Sequence, residues 1–232
     1  MNEKKLVGEK AAEFVKDGMI VGLGTGSTVY YTLEKIGQMV KEGLQIKGIP
    51  TSMATEKLAH EFGIPLTSFK EVTYLDVAID GADEVDPDLN LIKGGGGALL
   101  REKIIAAAAN TFIVVADSSK LSAKLGSFRL PVEVIPFGYE RTAKQISSIG
   151  CVPEMRLSNG NPYITDNHNY IFDCEIPENS QPHKLETVLN MIPGVVENGL
   201  FTKMADVIIT LDANKKTVLM KEKNKNRIRE TE

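Results

Sequence analysis

Short apolar runs at residues 19–23, 44–49, 77–79 and 112–115 alternate with stretches whose apolar residues recur at helical spacing, at 4–15, 28–40, 52–61 and 99–109. Such an alternation leaves few architectures open. Strands that are apolar throughout must be covered on both faces, and a parallel sheet with helices on either side does that. The expected fold class is therefore α/β, a Rossmann-like, mostly parallel sheet with helices on both faces. From residue 130 the character changes to alternating apolar residues (130–136), a helical pattern (139–149), two strand-like stretches (152–157 and 170–175) and a further helix near 183–191. This reads as a smaller inserted α+β domain. Apolar runs at 205–210 and 217–220 then return the chain to the first sheet, so the expected division is 1–128 with 205–232, and 129–204. The charged stretch 221–232 is expected to fray.

A chain of 232 residues, 42% hydrophobic and 25% charged, is a soluble globular protein with one large domain or one domain carrying a smaller second. Its net charge of -4 gives no broad attraction for nucleic acid or an anionic membrane, so an anionic ligand needs a local site. The first residues lack the apolar core of a signal peptide and no apolar stretch reaches the length of a membrane span, so the expected location is the cytoplasm. In that setting Cys151 and Cys174 read as free buried thiols. His60, His168 and His183 lack metal-ligand spacing, and no metal site is assigned.

In a parallel sheet, ligands bind beyond the carboxyl ends of the strands. Three polar segments follow apolar runs, 24–28, 80–86 and 117–120, and should gather on one edge. In Gly22-Leu23-Gly24-Thr25-Gly26-Ser27-Thr28 the glycines let the backbone wrap an anion, while the next helix offers free N–H groups and Ser27 and Thr28 offer hydroxyls. The same residues also serve as ordinary helix caps. The spacing is G-x-G-x-G, and the following run ends at Ile49-Pro50-Thr51-Ser52 without the acidic residue that a dinucleotide's ribose requires. No Lys-Ser/Thr pair follows as in a nucleotide P-loop, and no cofactor is assigned.

Asp80-Gly81-Ala82-Asp83-Glu84-Val85-Asp86 places four carboxylates in seven residues. Close carboxylates push their pKa values apart, which suits proton transfer, although a solvated turn has the same composition. A calcium loop would need a distant closing Glu. Lys93 adjoins four consecutive glycines, Gly94 to Gly97, a density that implies a sharp turn or close approach to a ligand. Beside such a loop Lys93 could stabilise negative charge on a substrate oxygen, and Glu102 could move a carbon-bound proton or merely complement its helix dipole. Lys120 is either a second cation for a phosphate or a surface lysine, and Asp117 and Ser118 are consistent with a turn.

Together, Gly24-Thr25-Gly26-Ser27-Thr28, Asp80-Gly81-Ala82-Asp83-Glu84, Lys93-Gly94-Gly95-Gly96, Arg101-Glu102-Lys103-Ile104-Ile105, Asp117-Ser118-Ser119-Lys120 and Leu130-Pro131-Val132-Glu133-Val134-Ile135-Pro136 resemble the type A ribose-5-phosphate isomerase family. The resemblance extends to Ile192-Pro193-Gly194-Val195-Val196 and Gly199-Leu200-Phe201. It implies metal-independent interconversion of ribose 5-phosphate and ribulose 5-phosphate, without cofactor, in the non-oxidative pentose phosphate pathway. It implies that Glu102 is the general base, working through an enediolate, and that Asp80, Asp83 and Lys93 serve ring opening and the enediolate oxygens. Thr25, Gly26, Ser27 and Thr28 are implied as substrate contacts, with Gly81, Ala82, Gly94, Gly95, Gly96, Lys120 and Lys4 around them. A homo-oligomer, dimer or tetramer, is also implied. The rival readings are another phosphosugar isomerase or deaminase, which would accept six-carbon substrates, and a sugar-phosphate sensor, for which the sequence lacks a basic helix-turn-helix extension.

Overall fold

The structure is a computed structural model that describes residues 2–211 and the backbone of 218–222. The chain opens with α1 (Glu3–Ala12), capped by the Asn2 side chain, which accepts from the Lys5 N–H at 3.4 Å. It continues through β1 (Ile20–Leu23), α2 (Val29–Lys41), β2 (Lys47–Pro50), α3 (Met53–Phe62), β3 (Leu75–Gly81), β4 (Glu84–Val85), β5 (Leu91–Ile92), α4 (Leu99–Ala108) and β6 (Ala109–Val115). A 3-10 turn, Ser118–Lys120, follows β6. Next come β7 (Leu130–Val134), α5 (Tyr139–Ser148), β8 (Val152–Met155), β9 (Leu157–Ser158), β10 (Asn161–Pro162), β11 (Tyr170–Glu175) and α6 (Pro182–Asn190). The last elements are β12 (Val195–Asn198), β13 (Leu200–Phe201), β14 (Val207–Leu211) and β15 (Val218–Glu222).

Six strands form the main sheet in the order β15-β14-β6-β3-β1-β2, parallel except for β15 at the edge. Alternate residues of one strand enter different cores, the period-2 consequence of a sheet covered on both faces. Val77 and Ile79, with Ile113 and Val115, pack beneath Val7 and Ala11 of α1 and Leu33 and Ile36 of α2. Ala78, Phe112 and Val114 pack on the other side with Ile105 of α4. Gly8 of α1 lies so close to α2 that a Cβ there would stand 2.8 Å from the Thr28 carbonyl oxygen, and this approach carries the start of α1 to the start of α2.

A separate antiparallel sheet, β12-β7-β11-β8, holds its own core of Leu130, Val132, Val134, Phe172, Leu185 and Leu189. Both cysteines are free and buried there, and burial pushes the Cys151 thiol up to about 11 and Cys174 further up. A small sheet, β13-β5-β4, ties the two sets of strands together, and its two-residue strands show no readable periodicity in the sequence.

Most expected elements are present, with informative shifts. The second strand starts at Lys47 rather than 44, because the Gln45 N–H is held by Asp17 Oδ1 at 2.7 Å outside the ladder. The third strand runs on to Gly81, so Asp80 is a strand residue and not the start of a loop. The late strands both join the first sheet. Of the stretch 221–232 expected to fray, Lys221 and Glu222 are instead paired with Ile208 and Val207 in β15, while 223–232 and the expectation at Thr217 lie outside the described residues. No described helix is long and apolar enough to cross a membrane.

Candidate active site

The three polar segments meet at the carboxyl edge of the main sheet, where one cleft is bordered by Thr25 to Thr28, Gly81 to Asp83, and Asp117 with Lys120. The turn after β1 has no room for a side chain at Gly24, where a Cβ would collide with the Asp80 carboxylate. Gly26, at φ 129°, sits where other residues are strained. Thr28 begins α2 without a side-chain capping bond, and Ser27 Oγ accepts from Lys4 Nζ at 2.8 Å, so these hydroxyls face the cleft instead of the helix end. Thr25 borders the cleft too, and its hydroxyl is engaged by Thr51, Ser52 and Thr55 at 2.6, 2.8 and 3.0 Å. That knot fastens the loop to the start of α3, and the hydroxyl residues 51–55 were legible in the sequence only as a helix start.

At the floor of the cleft lies a buried charged cluster. Lys93 Nζ is 3.1 Å from Asp80 Oδ2 and 3.3 Å from Glu102 Oε2, donates to the Gly81 carbonyl, and stands 5.4 Å from the Phe201 ring centre. Burial alone would lower the Lys93 pKa, but the two carboxylates outweigh it and hold the ammonium above its ordinary value. One cation cannot fully compensate two carboxylates. Burial raises Asp80, opposed by Lys93 and by N–H groups of Thr25 and Gly81 at 3.0 and 2.7 Å. Among the described residues no such N–H donates to Glu102, and burial together with the Asp80 charge pushes it up to about 8 against the pull of Lys93. Both carboxyls are thus held above their ordinary values, Asp80 with two backbone N–H donors beside Lys93 and Glu102 pushed up to about 8. The helix start and Lys93 favour an ionised Glu102, but burial dominates.

The glycine run folds over this cluster. Gly94, at φ 101°, packs against Leu99 and Pro131, while the Gly95 N–H donates to Asp83 Oδ2 at 2.7 Å. Lys93, Gly94, Gly96, Glu102, Ala82, Asp83, Lys4 and Lys120 all border the cleft. Two expected residues do not: Asp80 lies behind the wall, paired with Lys93, and Gly95 turns outward into a groove with Arg129 and Arg156. The remaining acids of the 80–86 run are braces. Glu84 accepts from the N–H groups of Gly126, Ser127 and Phe128, and Asp86 accepts from those of Asp88 and Asn90. Val29, Val115 and Ala116 complete the cleft and were not foreseen, being apolar ends of ordinary elements. Among the described residues no group of three or more His, Cys, Asp or Glu is placed to hold a metal.

The chain matches a family model for ribose 5-phosphate isomerase A (phosphoriboisomerase A) over residues 47–215. It is 57% identical over 210 residues to ribose-5-phosphate isomerase A of Bacillus cereus, covering 90% of this chain and 96% of the relative. It is 52% identical over 211 residues to that of Trichodesmium erythraeum, covering 89% of each. The structure is similar to ribose 5-phosphate isomerase A of Methanocaldococcus jannaschii, with a TM-score of 0.90, 42% identity, and 95% and 98% of the two chains covered. A D-ribose-5-phosphate isomerase solved in complex with phospho-erythronic acid gives a TM-score of 0.91 at 42% identity, over 96% of this chain and 100% of the other. On the sequence match, the shared fold and the site at the sheet edge, the chain belongs to the ribose 5-phosphate isomerase A family.

Proposed function

We propose that this protein interconverts D-ribose 5-phosphate and D-ribulose 5-phosphate by proton transfer through an enediolate. The observation that carries the proposal is Lys93 held between Asp80 and Glu102 under a cleft whose far side offers Ser27, Thr28, Lys4 and Lys120. Removing the proton from C2 of the open-chain aldose sends its electron pair toward the C1 carbonyl, leaving an enediolate. Glu102 accepts that proton and returns it to C1, while the hydroxyl proton at O2 passes to O1, so no electron is gained or lost. Such a carbon acid ionises readily only when the oxygens are stabilised, and Lys93 with the glycine-loop N–H groups other than those of Gly95 and Gly97, which are held by Asp83 and the Gly94 carbonyl, supplies that positive potential without a metal ion. A carboxyl pushed up to about 8 is suited to exchange a proton near neutral pH.

Asp83, on the rim, and Asp80, behind Lys93, serve the ring-opening step, in which the anomeric hydroxyl loses a proton and the ring oxygen gains one. Gly26 to Thr28, with Lys4 and Lys120, hold the phosphate. Anchoring this unreacting group fixes C1 and C2 against Glu102, a contribution that reaches roughly 7–11 kcal/mol in favourable cases. Phospho-erythronic acid, bound by a relative 42% identical, supports the arrangement, because its planar carboxylate resembles the enediolate and it keeps the phosphate.

The same reading assigns the protein to the non-oxidative pentose phosphate pathway in the cytoplasm. It divides the chain into a catalytic domain, 1–128 with 205–232, and a smaller domain, 129–204. A homodimer fits Phe137 and Met191, which are 90% and 77% exposed on the smaller domain. The test is conversion of ribose 5-phosphate by purified protein in excess EDTA beside Glu102→Gln. Turnover by the wild type that the variant loses is expected. Absence of wild-type turnover, or preference for a six-carbon phosphosugar, would overturn the assignment.

A further inference from the structure

Four consecutive glycines have little intrinsic preference for one conformation, yet the loop over the buried cluster must present fixed N–H groups. What fixes it comes from the smaller antiparallel unit. Arg156 Nη1 donates to the carbonyls of Gly94 and Gly95 at 2.9 and 3.2 Å. Its Nε and Nη2 donate to the two carboxylate oxygens of Asp173 at 2.9 and 2.5 Å. The guanidinium therefore uses one edge on the loop and another on β11. Its backbone is pinned as well, with the Arg156 N–H on the Ile171 carbonyl at 2.8 Å and its carbonyl accepting from the Tyr163 N–H at 2.8 Å. Tyr163, whose ring centre lies 5.8 Å from the guanidinium, donates from its hydroxyl to the Gly96 carbonyl at 3.3 Å. The carbonyls of Gly94, Gly95 and Gly96 are thus all held from outside the cleft.

A trans peptide points its C=O and the following N–H in opposite directions, and the described chain has no cis bond. Pulling the Gly95 carbonyl outward to Arg156 turns the Gly96 N–H inward, toward the cleft that Gly96 borders and Gly95 does not. We infer that the Arg156–Asp173 pair is a positioning device, holding the glycine loop so that the Gly96 N–H meets the oxygen that becomes negative in the enediolate; this rests on the isomerase reading above. Arg156 touches no reacting atom. Its value lies in the planar fork, which binds two carbonyls and a carboxylate at once, an arrangement an ammonium group cannot copy.

The test compares Arg156→Ala, Arg156→Lys and Asp173→Asn with the wild type. It measures kcat and KM for ribose 5-phosphate, affinity for phospho-erythronic acid, and amide exchange of residues 94–97 without ligand. For both arginine variants kcat falls about 10- to 100-fold, the range expected when a catalytic donor is misaligned. KM stays within about threefold, because the phosphate anchor is intact. Acid affinity falls in step with kcat, exchange at 94–97 accelerates, and Arg156→Lys does not rescue; Asp173→Asn gives a smaller loss of the same pattern. Wild-type kcat and exchange in Arg156→Ala would overturn the proposal. Recovery of full kcat in Arg156→Lys would do the same, as would a lower kcat accompanied by a raised KM and a lowered melting temperature. If the wild type itself does not turn over ribose 5-phosphate, the functional reading fails; if it does and Arg156→Ala matches it, the clamp alone fails.

Discussion

Two lysines ten positions apart each stand between a pair of carboxylates, and they share the ring of Phe201, 5.4 Å from Lys93 and 4.9 Å from Lys103. Lys93 meets Asp80 and Glu102; Lys103 meets Glu186 and Glu197 at 3.2 and 2.8 Å. Their charge composition is the same, and their surroundings are not. The Lys93 group is 3–5% exposed, and Glu102 has no donor besides Lys93 among the described residues. In the Lys103 group, 11–16% exposed, Glu197 also accepts the Asn198 N–H at 2.8 Å and Glu186 the Thr202 hydroxyl. A carboxylate with several donors is fixed in place as part of the framework. One left with a single shared cation, next to an open cleft, keeps a proton that chemistry can use.

Removing each cation sharpens this contrast. Lys93→Met should lower kcat/KM on ribose 5-phosphate by roughly 10²- to 10³-fold, because it strips positive charge from the developing oxyanion. Lys103→Met should leave kcat within about threefold and instead lower stability by about 1–3 kcal/mol, since two partly buried carboxylates lose a donor. For a chain of this size that is a fall of about 2–4 °C in melting temperature per kcal/mol. Equal kinetic losses in the two variants would break the distinction.

A pH-dependent effect, opposite in sign, concerns stability at the active cluster. Glu102 has a folded-state pKa of about 8 against an ordinary 4.5, so between those values the folded chain binds more protons than the unfolded one. Stability from this group therefore declines as pH rises through that window. Glu102→Gln cannot ionise, so its melting temperature should gain on the wild type steadily as pH goes from 5 to 9. A gain that does not grow with pH would show that Glu102 is ionised throughout.

The parallel sheet and the residues at its edge were legible in the sequence, because both are local signals: apolar runs, a glycine-rich turn, a lysine before four glycines. What stayed hidden depends on long-range placement. Asp80 and Glu84 look alike in one acidic run, yet the strand extends to Gly81 and buries Asp80 beside Lys93, whereas Glu84 is used on the backbone at 126–128. Local pattern offers Glu102 reasons to be charged and reasons to be neutral, and only its burial with Asp80 decides between them. Arg156 lies about sixty positions from the glycines it holds, in a stretch whose pattern signalled only strand. Phe201 belongs to a two-residue strand too short for any period to appear.

The most direct measurement is the pH dependence of kcat/KM for ribose 5-phosphate with the wild-type protein, from about pH 6 to 10. If Glu102 must lose its proton before it can take one from carbon, kcat/KM climbs about tenfold per pH unit at low pH and levels off near 8, following the raised carboxyl. A profile already level at pH 6, with its midpoint in the ordinary carboxylate range, would contradict a base whose proton is held by burial in the Lys93 cluster.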